Sequence, residues 1–285
     1  MEEYKVRTAS ISDVVDIVRI ANQAFLEIAR LPGSLGHGFV VHMKSFPDWI
    51  FVAERTTDRK VIGFLIGSRD KHAAKISWIA VHPEFWGRGI GGMLLHAIEE
   101  KARSEGLRII ETGTPFARSF YEKYGFHCIN VQKAYILEIA GRKVESPSNI
   151  EIRFLFLFDL SELAQVMSKN NYLNLLESYF SALKANNENA ILGLKNNQIV
   201  GVVIGQRDSL YQDLMILRYL YSVKQEYAPD LLHALIFLSS VKGYRWIGVK
   251  LPLFGIEEQY LRDTGWNEAR LPSFWTRYWM RKDLG

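Results

Sequence analysis

The chain has little of what builds disulfide-linked or membrane-embedded proteins. Its 285 residues include one cysteine, Cys128, so no internal disulfide can form. No stretch of 18 or more apolar residues occurs, which argues against a membrane-spanning helix. The N-terminal segment MEEYKVRTAS lacks the basic flank and apolar core of a signal peptide. We therefore expect a cytoplasmic protein with an inert thiol and no membrane partner.

Concentrated charge and metal-ligating clusters are also missing. The net charge is only +4, and basic residues are interleaved with acidic ones in both halves. A nucleic-acid partner is therefore not expected. The seven histidines form no His-Glu-x-x-His motif and no cluster with cysteine, so no metal is expected. The length favours two domains of ordinary size, and nothing in the sequence indicates the oligomeric state.

What the sequence does contain is a glycine-rich turn between a strand-like run and a helical one. Residues 81–95 read VHPEFWGRGIGGMLL. The apolar run at 76–81 has strand character and stops before Pro83, because proline cannot donate to a ladder. From Met93 the apolar residues follow helical spacing, up to a capping glycine at Gly106. The turn thus lies at a helix N-terminus, where unpaired N–H groups and the helix dipole favour an anion such as a pyrophosphate.

Spacing separates the families that use such a turn. A P-loop requires Lys and then Ser or Thr after its last glycine, but here Met93 follows Gly92. Gly87, Gly89 and Gly92 fit the letters of the dinucleotide-binding motif. Glu105 and Glu111 lie close to the distance at which that motif has its acidic residue, but Glu105 ends the predicted helix instead of the following strand, so we interpret this fit as accidental.

The turn resembles the acetyl-CoA loop of the GNAT acetyltransferase superfamily, which reads Gln or Arg, two residues, Gly, one residue, then Gly or Ala. Gly89 and Gly91 match the two small positions. Trp86 replaces the family's Gln or Arg, so one pyrophosphate contact is either missing or supplied by Arg88. The resemblance implies acetyl-CoA as cosubstrate, with its pantetheine arm bonded along the strand that ends at Val81. The implied cofactor-binding residues are Ile79, Ala80, Val81, Trp86, Gly87, Arg88, Gly89, Ile90, Gly91, Gly92 and Thr114.

A second motif of the same family follows downstream. Residues 117–126 read ARSFYEKYGF, similar to the family's Ala-x-x-x-Tyr-Glu-Lys-x-Gly-Phe. The resemblance implies that Tyr121 is the general acid that protonates the CoA sulfur when an amine attacks the thioester. Thr114 stands where the family often has Asn, and its hydroxyl would replace that amide toward pantetheine. The alternative for Tyr121 is simple aromatic packing on an amphipathic helix.

The acceptor amine must lose a proton, because an ammonium nitrogen has no lone pair. Glu111, near the end of its predicted strand, is the first candidate for the general base, directly or through a water. Its alternative is a surface carboxylate beside a basic residue. His82 is expected to position the loop, and His72 is a weaker candidate. The resemblance places the acceptor site at residues 22–48, for a small-molecule amine or the N-terminus or lysine of a peptide.

An internal repeat relates the two halves of the chain. Residues 61–70, VIGFLIGSRD, and residues 199–208, IVGVVIGQRD, are identical at five of ten positions. The polar segment at 140–149 is a natural linker. The linker predicts a boundary after residue 143. The resemblance implies a catalytic acetyl-CoA-binding domain at 1–143 and a second GNAT-like domain at 144–285.

The second copy has lost the residues that the chemistry needs. The repeat aligns residues 224–229, KQEYAP, with the glycine turn, so every glycine is gone and Glu226 would repel a pyrophosphate. The later Gly-aromatic turn aligns Leu261 with Tyr121, and Tyr260, one residue away, is a weak substitute. We therefore expect a degenerate second domain without acetyl-CoA.

The resemblance implies an α/β fold of two tandem GNAT-like domains, each with a mixed, mostly antiparallel, splayed sheet flanked by helices. Periodicity predicts a helix at 11–28 and strands at 50–53, 61–67 and 108–112. The implied activity is that of an acetyl-CoA-dependent N-acetyltransferase, which transfers the acetyl group to a primary amine by direct attack on the thioester. The rival hypothesis is a catalytically silent acyl-CoA sensor that binds a partner.

Overall fold

The chain forms two compact units in a computed structural model. Unit 1 comprises Met1–Val131 and Arg277–Gly285, and unit 2 comprises Gln132–Thr276. Each unit is built on its own seven-stranded sheet. The residues that the structure describes are 3–29, 36–184, 189–208, 210–271 and 274–285.

The secondary structure alternates between strands and helices. The strands are β1 (Tyr4–Thr8), β2 (Ile50–Arg55), β3 (Val61–Arg69), β4 (Ala74–Val81), β5 (Ile109–Thr114), β6 (His127–Gln132), β7 (Ala134–Glu138), β8 (Glu151–Phe154), β9 (Ala190–Lys195), β10 (Gln198–Arg207), β11 (Leu214–Ser222), β12 (Trp246–Lys250), β13 (Asn267–Glu268), β14 (Arg270–Leu271), β15 (Phe274–Trp275) and β16 (Arg277–Asp283). The helices are α1 (Val14–Ala29), α2 (Gly36–Ser45), α3 (Ile90–Ser104), α4 (Arg118–Lys123), α5 (Asp159–Val166), α6 (Lys169–Lys184), α7 (Ala228–Val241) and α8 (Glu258–Asp263). Short 3₁₀ turns lie at Ile11–Asp13, Pro47–Trp49, Pro83–Phe85 and Gln225–Tyr227.

The sheet of unit 1 has the strand order β1-β2-β3-β4-β5-β16-β6, in which β4 and β5 run parallel. Helix α3 packs on one face of the sheet, and α1 and α2 pack on the other. Seven consecutive residues of β3 are therefore buried, because both faces of this central strand are covered. The apolar run at 61–67 and its repeat in the second half thus form central strands of their sheets, β3 and β10.

Unit 2 has the corresponding strand order, β8-β9-β10-β11-β12-β7-β13, and its parallel pair is β11 and β12. Helix α7 packs on β10 and β11 from one side of the sheet, and α6 contributes to a separate apolar cluster. The predicted α/β architecture, two mixed and mostly antiparallel sheets flanked by helices, is thus confirmed. Within the described residues no helix is both long and apolar enough to cross a bilayer.

The division of the chain differs from the boundary expected at residue 143. Strand β7 precedes that boundary, yet it pairs with β12 of unit 2. Strand β16 ends the chain, yet it pairs with β5 of unit 1. Each unit thus takes its sixth strand from the other half of the sequence, because the ladder partner of a strand is set by the completed sheet and not by proximity in the chain.

A partly buried ion pair occurs in each unit at corresponding positions and was missed by the sequence analysis. Arg7 in β1 donates to both carboxylate oxygens of Asp13 at 2.7 and 2.8 Å. Arg153 in β8 likewise donates to both carboxylate oxygens of Asp159, each at 2.7 Å. Each aspartate also accepts a backbone N–H at the start of the following helical turn. The signal was available, because arginine precedes aspartate by six residues in both copies.

Candidate active site

The candidate site begins where the parallel strands β4 and β5 part. Their ladder holds three residue pairs and ends at Ile76 opposite Thr112. Strand β4 then continues to Val81 and β5 to Thr114 without pairing with each other. A wedge-shaped gap therefore opens beyond Ile76, and we call its narrow end the apex.

The exposed edge of β4 presents backbone groups to this gap. The N–H of His82 donates to the carbonyl of Ile62 in β3 at 2.8 Å. Because hydrogen-bonding direction alternates along an antiparallel strand, the backbone groups of Ile79 and Val81 turn away from β3 and toward the gap. An extended ligand lying in the gap can therefore bond to β4 as an additional strand would.

The glycine turn lies beyond the end of β4. Gly87 and Gly89 have φ values of +78° and +79°, which side-chain-bearing residues adopt only under strain. No atom lies within 4 Å of a Cβ built at either position, so backbone conformation, not crowding, requires the glycines. Helix α3 begins at Ile90 directly after Gly89, and its first N–H groups have no intrahelical acceptor. The turn therefore has the geometry of an anion site.

A cavity of about 370 Å³ joins the β4 edge to this turn, a volume in the range of small-ligand pockets. Predicted cofactor residues that line it are Ile79, Ala80, Val81, Trp86, Gly87, Gly89, Ile90 and Gly91. The predicted residues Arg88, Gly92, Thr114, Tyr121 and Glu111 are not among its lining. Arg88 instead donates to the hydroxyl of Tyr4 at 2.9 Å.

The wall opposite the β4 edge was missed by the sequence analysis. It consists of Phe120, Lys123 and Tyr124, at and just beyond the end of α4. These residues are spaced by three and four positions, so they share one helix face. The face could have been read from the motif that contains Tyr121, because helical spacing from Phe120 leads to Lys123 and Tyr124.

Tyr124 and Trp86 close the cavity from two sides. A Cβ added to Gly92 would overlap the Tyr124 hydroxyl and lie 2.5 Å from its Cε1, so the ring rests directly on the first turn of α3. The indole Nε1 of Trp86 donates to the carbonyl of Val81 at 2.6 Å. Trp86 therefore satisfies one gap-facing acceptor of β4.

Tyr121 lies at the apex. Its side chain is only 3% exposed and packs between the rings of Phe120 and Phe126, with both centroid distances 5.2 Å. Burial raises the pKa of Tyr121 from 10 to about 12, although a hydrogen bond with Thr112 opposes the shift. Thr112 in turn donates to the carbonyl of Ile76 at 3.0 Å. The phenol is thus protonated at neutral pH and held where β4 and β5 separate.

Glu111 lies on the face of β5 opposite to that of its neighbour Thr112, because side chains alternate along a strand. Its carboxylate forms an ion pair with Lys75, its direct partner in the β4–β5 ladder. The same ammonium lies 3.4 Å from Asp70. The surroundings of Glu111 thus match those of a carboxylate beside a basic residue, the alternative to a general base. Its ladder pair with Lys75 is next to the pair of Ile76 and Thr112 at the apex.

Thr114 and the histidines have local structural partners. The Thr114 hydroxyl oxygen accepts the N–H of Ala117 at 2.9 Å, which fixes the start of α4. His82 is buried and accepts the N–H of Glu84 at 3.4 Å through Nδ1; burial lowers the pKa of its imidazole. His72 lies in the turn before β4, away from the gap. His82 thus holds the turn in place, as expected.

Unit 2 reproduces the gap but not the site. Its parallel ladder ends at Ile216 opposite Gly248. The chain between β12 and α8 packs on the turn that replaces the glycines: a Cβ added to Gly255 would lie 2.7 Å from Ala228 Cβ and 2.8 Å from the Gln225 carbonyl. That turn is therefore covered by the unit's own chain.

The position of the phenol is also changed in unit 2. The N–H of Trp266 donates to Leu261 at 2.9 Å, as Phe126 donates to Tyr121 at 3.1 Å. The two turns are therefore equivalent, and a fully buried leucine stands where unit 1 has its tyrosine. Among the described residues, no group of three or more His, Cys, Asp or Glu side chains is arranged to hold a metal ion.

Comparisons with known proteins agree with this geometry. Residues 47–128 match the family model of the acetyltransferase (GNAT) domain. An acetyltransferase of Pectobacterium atrosepticum is 35% identical over 91 residues, which are 32% of this chain and 55% of that protein. The chain thus spans about half the length of this curated relative.

Solved structures extend the similarity to both units. A GCN5-related N-acetyltransferase from Sphaerobacter thermophilus superposes with a TM-score of 0.66 at 15% identity, covering 99% of this chain and 96% of that one. A tandem GNAT protein from the clavulanic acid biosynthesis pathway superposes with a TM-score of 0.63 at 13% identity, covering 100% and 99%. At such identities the likeness concerns the fold. Residues 47–128 thus match the acetyltransferase (GNAT) domain model, and the chain shares the fold of these solved GNAT structures over nearly its whole length.

Proposed function

We propose that this protein is an N-acetyltransferase that transfers an acetyl group from acetyl-CoA to a primary amine. The observation that carries the proposal is the cavity of unit 1, which connects a helix N-terminus of anion-binding geometry to a strand edge with outward-facing backbone groups. Such a cavity suits a ligand with a pyrophosphate at one end and an amide-containing arm at the other.

The residues then have the following roles. Gly87, Gly89 and Gly91 let the backbone approach the pyrophosphate, and Lys123 on the facing wall contributes a positive charge. Ile79 and the N–H of Val81 hold the pantetheine arm along β4. When bound, acetyl-CoA supplies the thioester whose acyl group is transferred.

Tyr121 is the proposed general acid. Its pKa of about 12 keeps the phenol protonated at neutral pH, and its position at the apex allows it to give a proton to the departing sulfur. Thr112 orients the phenol by hydrogen bonding. Burial of the reacting proton excludes water as a competing donor.

The acceptor is proposed to be a small-molecule amine or the N-terminus or lysine of a peptide. It would reach the apex from the face of the sheet that carries α1 and α2, since α3 and α4 enclose the cavity on the other face. Of the predicted acceptor region at 22–48, residues 30–35 lie outside the described residues. Unit 2 is proposed to hold no acetyl-CoA, because its turn lacks glycines and is covered by residue 255.

Two measurements on the full chain test this function. Calorimetry with acetyl-CoA should give one site per chain, and a thiol-release assay against an amine panel should give turnover. Gly91→Leu should abolish binding, because a Cβ there already lies 3.0 Å from the Phe120 ring. His96→Leu introduces the same side chain at an exposed position of α3 and should change neither result. Binding without thiol release on any amine would favour the silent sensor.

A further inference from the structure

A histidine and a serine meet beside the apex, and the roles assigned above use neither. The Nε2 atom of His42 in α2 lies 3.0 Å from the Oγ atom of Ser77 in β4, although the two are 35 residues apart in the chain. The imidazole also packs edge-on against Trp78, with a centroid distance of 5.7 Å. His42 is half-buried and Ser77 is exposed, so the serine is the member of the pair that an entering molecule meets first.

Ser77 occupies a special position in the sheet. In the β3–β4 ladder Gly67 pairs with Ile76 and Ile66 pairs with Trp78, so Ser77 is the extra residue of a bulge. Bulges re-aim a side chain and are frequent beside active sites. Ser77 also directly follows Ile76, the last residue of β4 that pairs with β5. The bulge therefore places the hydroxyl beside the apex of the gap.

The two faces of the apex carry different chemistry. Ser77 and His42 lie on the face covered by α1 and α2, since Trp78 packs in the same cluster as those helices. Tyr121 belongs to the cluster on the opposite face. A thioester carbonyl at the apex would thus have a proton donor on one side and the Ser77–His42 pair on the side from which the amine arrives.

Glu111 is less suited to take the proton of the amine. Its carboxylate oxygen Oε2 already accepts a hydrogen bond from the ammonium of Lys75, so that oxygen is occupied by a donor other than the amine. A neutral imidazole has an unprotonated ring nitrogen and changes its protonation state near neutral pH. A serine hydroxyl can accept one proton while it passes on its own.

Building on the acetyl-transfer function proposed above, we infer that Ser77 and His42 form the relay that removes the proton of the acceptor ammonium. The ammonium gives a proton to Ser77 Oγ, whose own proton passes to His42 Nε2 and later to solvent. The freed lone pair forms the N–C bond, the C–S bond breaks, and the sulfur takes its electron pair and the proton of Tyr121. The second proton lost by the nitrogen restores Tyr121.

Several charged groups on the elements around the pair are held in ion pairs of their own. Strand β4 carries Lys75, which is paired with Glu111 and Asp70. Strand β3 carries Arg69, which is paired with Glu105 at 2.6 Å. The 3₁₀ turn before β2 carries Asp48, and α2 itself carries Lys44. Charged positions of α1 are Asp16, Arg19 and Glu27, of which the first two pair with each other at 2.7 Å.

The test compares three variants of the full chain. We expect His42→Gln to lower kcat about 100-fold, to leave the Kd for acetyl-CoA unchanged by calorimetry, and to remove the fall of kcat/KM on acidification that protonation of the imidazole causes. Ser77→Ala should give the same loss of kcat. Glu111→Gln should keep the acidic limb. An acidic limb retained in His42→Gln, or lost in Glu111→Gln, would overturn the relay while leaving acetyl transfer intact.

A readout without turnover separates this proposal from the proposed function. In NMR titrations, Ser77→Ala should move the titration midpoint of the His42 imidazole, because the variant loses the hydrogen bond between the two. His96→Gln, at an exposed position of α3, is the matched control and should leave that midpoint unchanged. An unmoved His42 midpoint in Ser77→Ala overturns the relay whatever the turnover shows. Wild-type protein that binds acetyl-CoA but releases no thiol with any amine overturns acetyl transfer and the relay together.

Discussion

Tyr121→Phe is the substitution that bears most directly on the proposed chemistry. It removes one oxygen and keeps the ring that packs between Phe120 and Phe126. Thr112 retains its hydrogen bond to the Ile76 carbonyl, so no buried group is left without a partner. We therefore expect the variant to fold, with a loss of stability of about 1 kcal/mol from the missing hydrogen bond.

The effect on catalysis should be much larger. A positioned general acid contributes about 10²- to 10⁴-fold, which corresponds to a barrier increase of about 3–5 kcal/mol in kcat. The affinity for acetyl-CoA should stay within about twofold, because the Tyr121 side chain does not line the cavity; an energy difference that small is well under 1 kcal/mol. Since the pKa of Tyr121 is about 12, the wild-type enzyme should show no loss of kcat from this residue up to about pH 10.

Steady-state kinetics, calorimetry and thermal melting together check this prediction. Tyr124→Phe is the matched control, because Tyr124 lines the cavity three residues away in the same motif. That variant should alter KM and the Kd for acetyl-CoA and leave kcat within a few-fold. A kcat of Tyr121→Phe within twofold of wild type would refute the assignment of Tyr121 as the acid.

Three further predictions concern the binding turn, acid stability and the strand exchange. Gly92→Ala should weaken acetyl-CoA binding at least tenfold in calorimetry, because its Cβ would displace Tyr124; unchanged affinity would mean that Tyr124 has no part in the cavity wall. Arg7 holds the pKa of Asp13 at about 2, below its ordinary 3.8. The ionised pair therefore contributes about 2 kcal/mol of stability, fully present above about pH 4 and lost as the pH falls toward 2. Urea melts at pH 7 and pH 2 should show Asp13→Asn less stable than wild type only at pH 7, and an equal difference at both would contradict the pKa. Deletion of residues 277–285 should abolish acetyl-CoA binding, because β16 lies between β5 and β6, and binding retained by the truncated chain would show that unit 1 folds without it.

Local features of unit 1 could be predicted from the sequence because they depend on neighbouring residues. The glycines, Pro83 and the change of hydrophobic period predicted the end of β4, which is confirmed. They also predicted a helix from Met93, but α3 begins three residues earlier at Ile90, so Gly91 and Gly92 lie in its first turn. The apolar run at 61–67 predicted a strand, and it forms as β3, which is buried on both faces. The repeat at 199–208 predicted the matching strand of unit 2, which forms as β10.

The compact units do not divide at the polar linker, and the reason is physical. A polar linker at 140–149 shows where a strand can end, but it carries no information about which sheet that strand joins. Strands β7 and β16 have five and seven residues. Backbone hydrogen bonds alone would let either strand extend the sheet of either unit. Packing decides the choice: Met280 of β16 is fully buried in unit 1, and Tyr135 of β7 is almost fully buried in unit 2.

The sequence by itself determined the glycine turn, the helix behind it, the tyrosine motif and the presence of a second, altered copy, since each is a pattern within a short segment. Tertiary structure alone decided that Glu111 pairs with Lys75, that β16 completes unit 1, and that His42 meets Ser77. The reason is register. Residues 35 or 36 positions apart become neighbours only when the β4 bulge and the parallel ladder fix which side chains share a face.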